Sequence, residues 1–390
     1  MTRRVGLWLI GAYGGVGSTT ALGLAALAKG ITPTTGLVTR LGDFAGVDFD
    51  EPAAFVIGGH DLRNTLFTTS VTELHQRSNI FTSALIEECS GELAAWSENV
   101  RPGISLKASN AIMAVNAAAG GVWTRDVRDE QEALAAIRTD LLAFRQRHSL
   151  DSVVVVNAAS TEATAERTDY DLATLPTSSL YAWAAVEAGC PYVNLTPSLG
   201  GSFPAFEEQA LKHKVPHAGQ DLKTGETLLK SVLAPMFAMR NLRVLSWVGH
   251  NILGNRDGQV LTDPAHKASK LRTKDALLAE MLGYKPQAHT SIEYIESLDD
   301  WKTAWDHIHF EGFLGTKMTM QFTWQGCDSV LAAPLVIDLA RILLLAHRRG
   351  DAGLFRHTAC FFKSPLGVGE HELLKQFEAL KSYLSLTPGR

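Results

Sequence analysis

The spacing of apolar and polar positions changes character along the chain. Val5–Ile10 is an unbroken apolar run, the pattern of a parallel strand buried on both faces. A glycine-rich turn follows, then a helical pattern through about Lys29. Residues 36–39 and 53–57 read as short strands, and 129–148 as a helix. Residues 151–157 (DSVVVVN) form the clearest strand pattern in the chain. Residues 179–189 read as a helix and 192–195 as another short strand. This alternation predicts an α/β, doubly wound parallel sheet. Beyond about Leu228 the pattern differs. Residues 242–248 read as a strand. In 317–324, Met318, Met320, Phe322 and Trp324 alternate with Thr319, Gln321 and Thr323. That period of two predicts an antiparallel sheet with one packed and one polar face. Residues 330–347 predict a strongly apolar helix returning to the first domain.

At 390 residues the chain is long enough for two or three domains. Its 46% hydrophobic and 20% charged residues are those of a globular protein rather than a disordered one. A net charge of −5 argues against a general nucleic-acid binder, which needs a basic surface. The apolar stretches, 153–156 and 342–346 among them, fall far short of the roughly 20 residues that cross a bilayer. The N-terminal MTRRVGLWLIGAYGG mimics a signal peptide, but its apolar run is short and ends in a glycine turn, so it reads as a first buried strand. Four scattered cysteines, with no CxxC and no metal spacing, fit a reduced, cytoplasmic protein.

The turn Gly11-Ala12-Tyr13-Gly14-Gly15-Val16-Gly17-Ser18 lies between a buried strand and a helix. Glycines there permit a tight turn and a close approach of backbone to a pyrophosphate, which the helix N-terminus attracts. The strict G-x-G-x-x-G order is not kept. A P-loop would need Lys where Ser18 stands, so a dinucleotide is favoured over a nucleotide triphosphate. No acid lies about 20 residues on to hold the adenosine ribose. Asp61 is the next candidate, with a helix-capping or turn role as its alternative.

A second anomaly is a predicted helix between Asp263-Pro264 and Gly283. Lys267, Lys270 and Lys274 share an arc with Leu271, Leu278 and Met281, while Arg272, Asp275 and Glu280 lie opposite. Lysines on an apolar face either snorkel to water or meet an anion such as a phosphorylated substrate.

Several segments, in order, resemble one family, the NAD-dependent myo-inositol-phosphate synthases. They are GAYGGVGSTT (11–20), IGGHD (57–61), STE (160–162), SSLYAWAAVEAGCPYVN (178–194), GQDLKTGET (219–227), NILGNRDG (251–258), SKLRTK (269–274), SLDDWK (297–302), CDSVLAAPLVIDL (327–339) and FKSPL (362–366). The resemblance implies a cyclase that makes inositol phosphate from glucose 6-phosphate with NAD. Carbon 5 is oxidised, the carbon 6 hydrogens become acidic, an enolate closes on the aldehyde, and the ketone is reduced back. It implies a Rossmann-type NAD domain of residues 1–228 and 329–390, with an inserted α+β catalytic and oligomerisation domain of residues 229–328. By position, Lys270 takes the proton at carbon 5, and Lys274, Lys302 and Lys363 stabilise the anions, joined by Asp257 and Asp328. Gly11, Tyr13, Gly14, Gly15, Val16, Gly17, Ser18, Asp61, Ser160, Thr161, Asp221, Thr224 and Asn255 are the implied cofactor residues. Compact members leave room for a divalent cation shared with phosphate oxygens, and the assembly implied is a homotetramer.

Read singly, these residues also have ordinary roles. Lys302 follows the acidic pair Asp299-Asp300, Asp257 sits in turn chemistry, Asp328 precedes a helix, and Lys363 precedes Ser-Pro in a surface-like loop. The chain departs from the family's common residues at His60 (often Trp), Ser160 and Arg256 (often Asn), and around 196–201. These departures leave open a related cyclase on another sugar phosphate such as fructose 6-phosphate. A plain NAD-dependent dehydrogenase and a cofactor-binding scaffold are the remaining alternatives.

Overall fold

In the computed structural model, which describes residues 3–118, 121–162, 170–260, 262 and 278–386, the apolar run Val5–Ile10 becomes strand β1 with every residue buried. It pairs in parallel with β2 (Phe55–Asp61) on one side and β4 (Ser152–Asn157) on the other. Short strands β3 (Val100–Pro102), β5 (Tyr192–Asn194), β6 (Pro216–Ala218) and, late in the chain, β11 (Gly353–Leu354) extend this sheet. The order is β11-β6-β5-β4-β1-β2-β3, all parallel. Side chains along β1 alternate between two cores. Val5, Leu7 and Leu9 join helices Gly15–Lys29 and Asp328–Arg349 on one face, and Trp8 and Ile10 join helices Glu130–Arg147 and Thr177–Glu187 on the other.

The helix expected at 330–347 spans Asp328–Arg349 and is the central element of the first core. By length and hydropathy it would pass for a membrane span, yet 78% of its most apolar 18 residues are buried inside the fold. Its burial is the reason it is apolar.

A second sheet has the order β10-β9-β7-β8, built from β7 (Arg243–Leu253), β8 (Gln287–Tyr294), β9 (Trp301–Glu311) and β10 (Lys317–Cys327). The pairs with β9 are antiparallel and β7–β8 is parallel. On its packed face Trp247, Ile308 and Phe310 meet Phe237 of helix Gly225–Met239, with Met320 and Phe322 of β10 against them. The alternation read in 317–324 therefore describes an edge strand with one half-buried apolar face.

One expected strand is absent. Residues 36–39 do not join the sheet, and Val38–Arg40 forms a 3₁₀ turn instead. Its backbone N–H groups find a partner far along the chain. The buried Asp338 carboxylate accepts from Val38 N (2.7 Å), Thr39 N (2.9 Å) and Thr39 Oγ1 (2.6 Å). Burial pushes that carboxyl up to about 6 despite those bonds. The strand expected at 53–57 starts and ends later, at Phe55–Asp61. Its glycines are contact positions: a Cβ on Gly58 would lie 2.8 Å from the Trp8 ring, and one on Gly59 2.3 Å from Leu9 O.

Candidate functional site

The carboxyl ends of β1, β2 and β4 open into a cavity of about 330 Å³. The sheet order reverses direction at β1, and open α/β sheets bind ligands at such a point. The glycine turn forms one wall. Gly11 has φ +81°, and its N–H, with that of Ala12, donates to the His60 carbonyl at 2.9 and 3.2 Å. The helix that follows has Gly14 as N-cap, with no side-chain cap and no acid in its first turn. Its first N–H groups are therefore open to an anion. A Cβ on Gly17 would sit 2.4 Å from Ala12 O, and one on Gly15 2.2 Å from Ser329 Oγ. The turn thus has room for backbone and ligand but not for side chains, which fits a dinucleotide pyrophosphate. Gly11, Tyr13, Gly14, Gly15 and Val16 line the cavity, whereas Gly17 and the buried Ser18 lie behind the turn and shape it.

Asp61 is the last residue of β2, the place where a ribose-binding acid belongs, though it stands 50 residues beyond Gly11. The missing strand at 36–39 accounts for the distance. Its Oδ2 accepts from Tyr13 N and its Oδ1 from Arg63 N, both at 2.7 Å, so it also pins the turn. Burial raises its pKa. The His60 ring has a core role: Trp8 Nε1 donates to Nδ1 at 3.0 Å and Nε2 faces Asp140 at 3.1 Å. Accepting on Nδ1, and with burial lowering its pKa, it is a neutral imidazole protonated on Nε2.

The second wall collects polar groups from distant segments. Lys363, 7% exposed, donates to Asp221 Oδ1 at 2.7 Å, and its backbone N donates to the Asp221 carbonyl at 2.7 Å. The surface-loop alternative for Lys363 does not hold. Lys302, the second residue of β9, lies 3.5 Å from Asp328 Oδ1. Its sequence neighbours are engaged elsewhere: Asp299 accepts from Arg77 at 2.7 Å, and Asp300 accepts from Ser329 N at 2.9 Å and Cys327 Sγ at 2.7 Å. Asp328 is the first residue of its helix rather than its cap. Asn255 Nδ2 lies 3.4 Å from Asp300 and 3.5 Å from Asp328, and Asp257 accepts from Thr161 Oγ1 at 3.4 Å. Ser160 and Thr224, the N-cap of helix Gly225–Met239, also line the cavity. Lys270 and Lys274, with Lys267 beside them, lie outside the described residues.

Several lining residues were not singled out from the sequence: Arg63, Glu162, Asn157, Thr196, Asp300 and Ser329. Asn157 ends β4 and donates to Asn194, which ends β5, at 3.2 Å. Placing polar residues at the carboxyl ends of predicted strands would have found both. Asp300 is 4% exposed, and burial followed by the Asp328 charge raises its pKa. Among the described residues, no group of three or more His, Cys, Asp or Glu is arranged to hold a metal ion by itself.

A family profile described as myo-inositol-1-phosphate synthase, an NAD-binding family, matches residues 5–385. Inositol-3-phosphate synthase 1 of Bacteroides thetaiotaomicron is 29% identical over 98% of this chain and 95% of its own length. Two crystal structures share the fold. One is an inositol-3-phosphate synthase from Caenorhabditis elegans, with TM-score 0.88, 23% identity, and coverage of 99% of this chain and 86% of that one. The other is a myo-inositol-1-phosphate synthase-related protein from Thermotoga maritima, with TM-score 0.78, 22% identity and full coverage of both, 100% and 100%.

Proposed function

The chain belongs to the myo-inositol-1-phosphate synthase family, and from that premise we propose that it cyclises glucose 6-phosphate to an inositol phosphate with NAD as cofactor. The observation that carries the reading is convergence. Lys302, Lys363, Asp221, Asp257 and Asp328 share one cavity with the glycine turn and its open helix N-terminus.

When bound, NAD supplies a hydride acceptor for carbon 5 and returns the hydride after ring closure. The protein's groups handle protons and charge. Lys363, held by Asp221, offers a fixed ammonium to an oxygen that becomes negative, and Lys302 beside Asp328 offers a second. Lys270, on the resemblance alone, is assigned the proton of the carbon 5 hydroxyl, and Lys274 further anion stabilisation. Burial of Lys363 and Asp221 strengthens their interaction. The division of the chain into 1–228 with 329–390, and 229–328, follows the same reading: the second sheet lies wholly within the inserted segment.

Incubation with glucose 6-phosphate and catalytic NAD⁺, followed by NMR of the dephosphorylated product, tests this. Inositol with no net NADH is expected. Stoichiometric NADH would make the protein a plain dehydrogenase, and a carbocycle from fructose 6-phosphate alone would move it to another sugar.

The homotetramer and a cytoplasmic location belong to the proposal too. The outer face of the second sheet carries Trp305, 41% exposed and stacked on His250 at 5.8 Å, and β10 is an edge strand of that sheet among the described residues. All four cysteines are buried free thiols, which suits a reducing compartment. Sedimentation at micromolar concentration is expected to give four copies. A monomer would refute the assembly.

A further inference from the structure

Two guanidinium groups on the β2 side of the cavity have no part in the reading above. Arg63, 7% exposed, donates Nη1–H to the Tyr13 carbonyl at 3.0 Å and Nη2–H to Glu73 Oε2 at 2.8 Å. Its buried Nε has no partner among the described residues. Arg256 comes from the opposite wall, at the start of helix Arg256–Val260, and its Nη2 lies 3.7 Å from the same Glu73 oxygen. That is too long for a hydrogen bond. The next cation, Arg77, is already paired with Asp299.

Two like charges therefore share one carboxylate in a partly dehydrated wall. Burial, then the Arg63 charge, lowers the pKa of Arg256, with Arg77 adding to it, while Glu73 and the buried Asp61 oppose this. Such an arrangement favours a further anion. Both Asp61 oxygens accept backbone N–H groups, so this acid also holds the turn. In doubly wound sheets the groups just beyond the second strand face the adenosine half of the dinucleotide, and an arginine there suits a phosphate.

The geometry points to a phosphate of the bound dinucleotide docking between Arg63 and Arg256, on the adenosine side of the glycine turn. The inference rests on the reading of this cavity as the dinucleotide site. The phosphate has two possible sources, the pyrophosphate common to all such cofactors or the 2′-phosphate of NADP.

Calorimetric titration of the nucleotide-free protein with NAD⁺, NADP⁺ and adenosine tests it in wild type and Arg256→Gln, a position exposed enough to tolerate the change. The variant is expected to lose at least tenfold in affinity for a dinucleotide while adenosine binds within twofold. A loss shared by NAD⁺ and NADP⁺ identifies the pyrophosphate, and a loss confined to NADP⁺ identifies the 2′-phosphate. Arg256→Lys keeps the charge and recovers part of the affinity. Unchanged dinucleotide binding, or an equal loss for adenosine, overturns the inference and leaves the cyclase reading standing. A wild-type protein that binds no dinucleotide would overturn both.

Discussion

Replacing Lys363 with alanine is expected to lower kcat about a hundredfold while NAD still binds and the protein still folds. A preorganised charged donor facing a developing oxyanion contributes about 3 kcal/mol in a site shielded from water. Lys363 has the attributes of such a donor. It is 7% exposed, its Nζ is oriented by Asp221 at 2.7 Å, and its own backbone is tied to the same residue. A flexible surface lysine would lose little on truncation. The informative measurement is kcat with glucose 6-phosphate beside the NAD dissociation constant. A loss of kcat alone places Lys363 at the reacting sugar, and a parallel loss of NAD affinity moves it to the cofactor. Unchanged turnover removes it from the site.

The second large effect is expected at Gly17. In Gly17→Ala the new Cβ would lie 2.4 Å from Ala12 O and 2.8 Å from Gly11 O. Both obstacles are backbone, so no side chain can swing away and the turn itself must open. The first N–H groups of the helix then lose their aim. We expect NAD affinity to fall by about a hundredfold, roughly 3 kcal/mol, with a stability loss of about 1–3 kcal/mol from overpacking. Gly23→Ala in the same helix is the control. Its Cβ would meet only Ile337 Cδ1 at 3.9 Å, and the higher helix propensity of alanine favours the change. Equal behaviour of the two variants would show that the turn's shape does not govern cofactor binding.

Elements with simple surroundings were legible in the sequence. Val5–Ile10 and the Val153–Val156 centre of the strand Ser152–Asn157 are apolar because parallel neighbours and helices cover both faces. The helix Glu130–Arg147 begins at its Asp129 cap, whose side chain accepts from Glu132 N at 2.9 Å. Residues 36–39 misled because their strand-like composition competes with a carboxylate 299 positions away, and the tertiary hydrogen bond to Asp338 wins. The second strand therefore begins near Phe55, and the acid at its carboxyl end is Asp61. Within the site, the glycine turn was readable because its constraints are local, whereas the pairing of Lys363 with Asp221 spans 142 residues.

The α/β class, the strands Val5–Ile10 and Ser152–Asn157, the dinucleotide turn and the family were determined by the sequence, since periodicity, glycine placement and ordered motifs are properties of neighbouring residues. Tertiary structure alone decided which charges meet: Asp299 with Arg77, Lys302 with Asp328, and Arg63 and Arg256 around Glu73. Coulomb and hydrogen-bond energies depend on distance and burial, and neither follows from position in the chain until the two sheets have brought remote segments together.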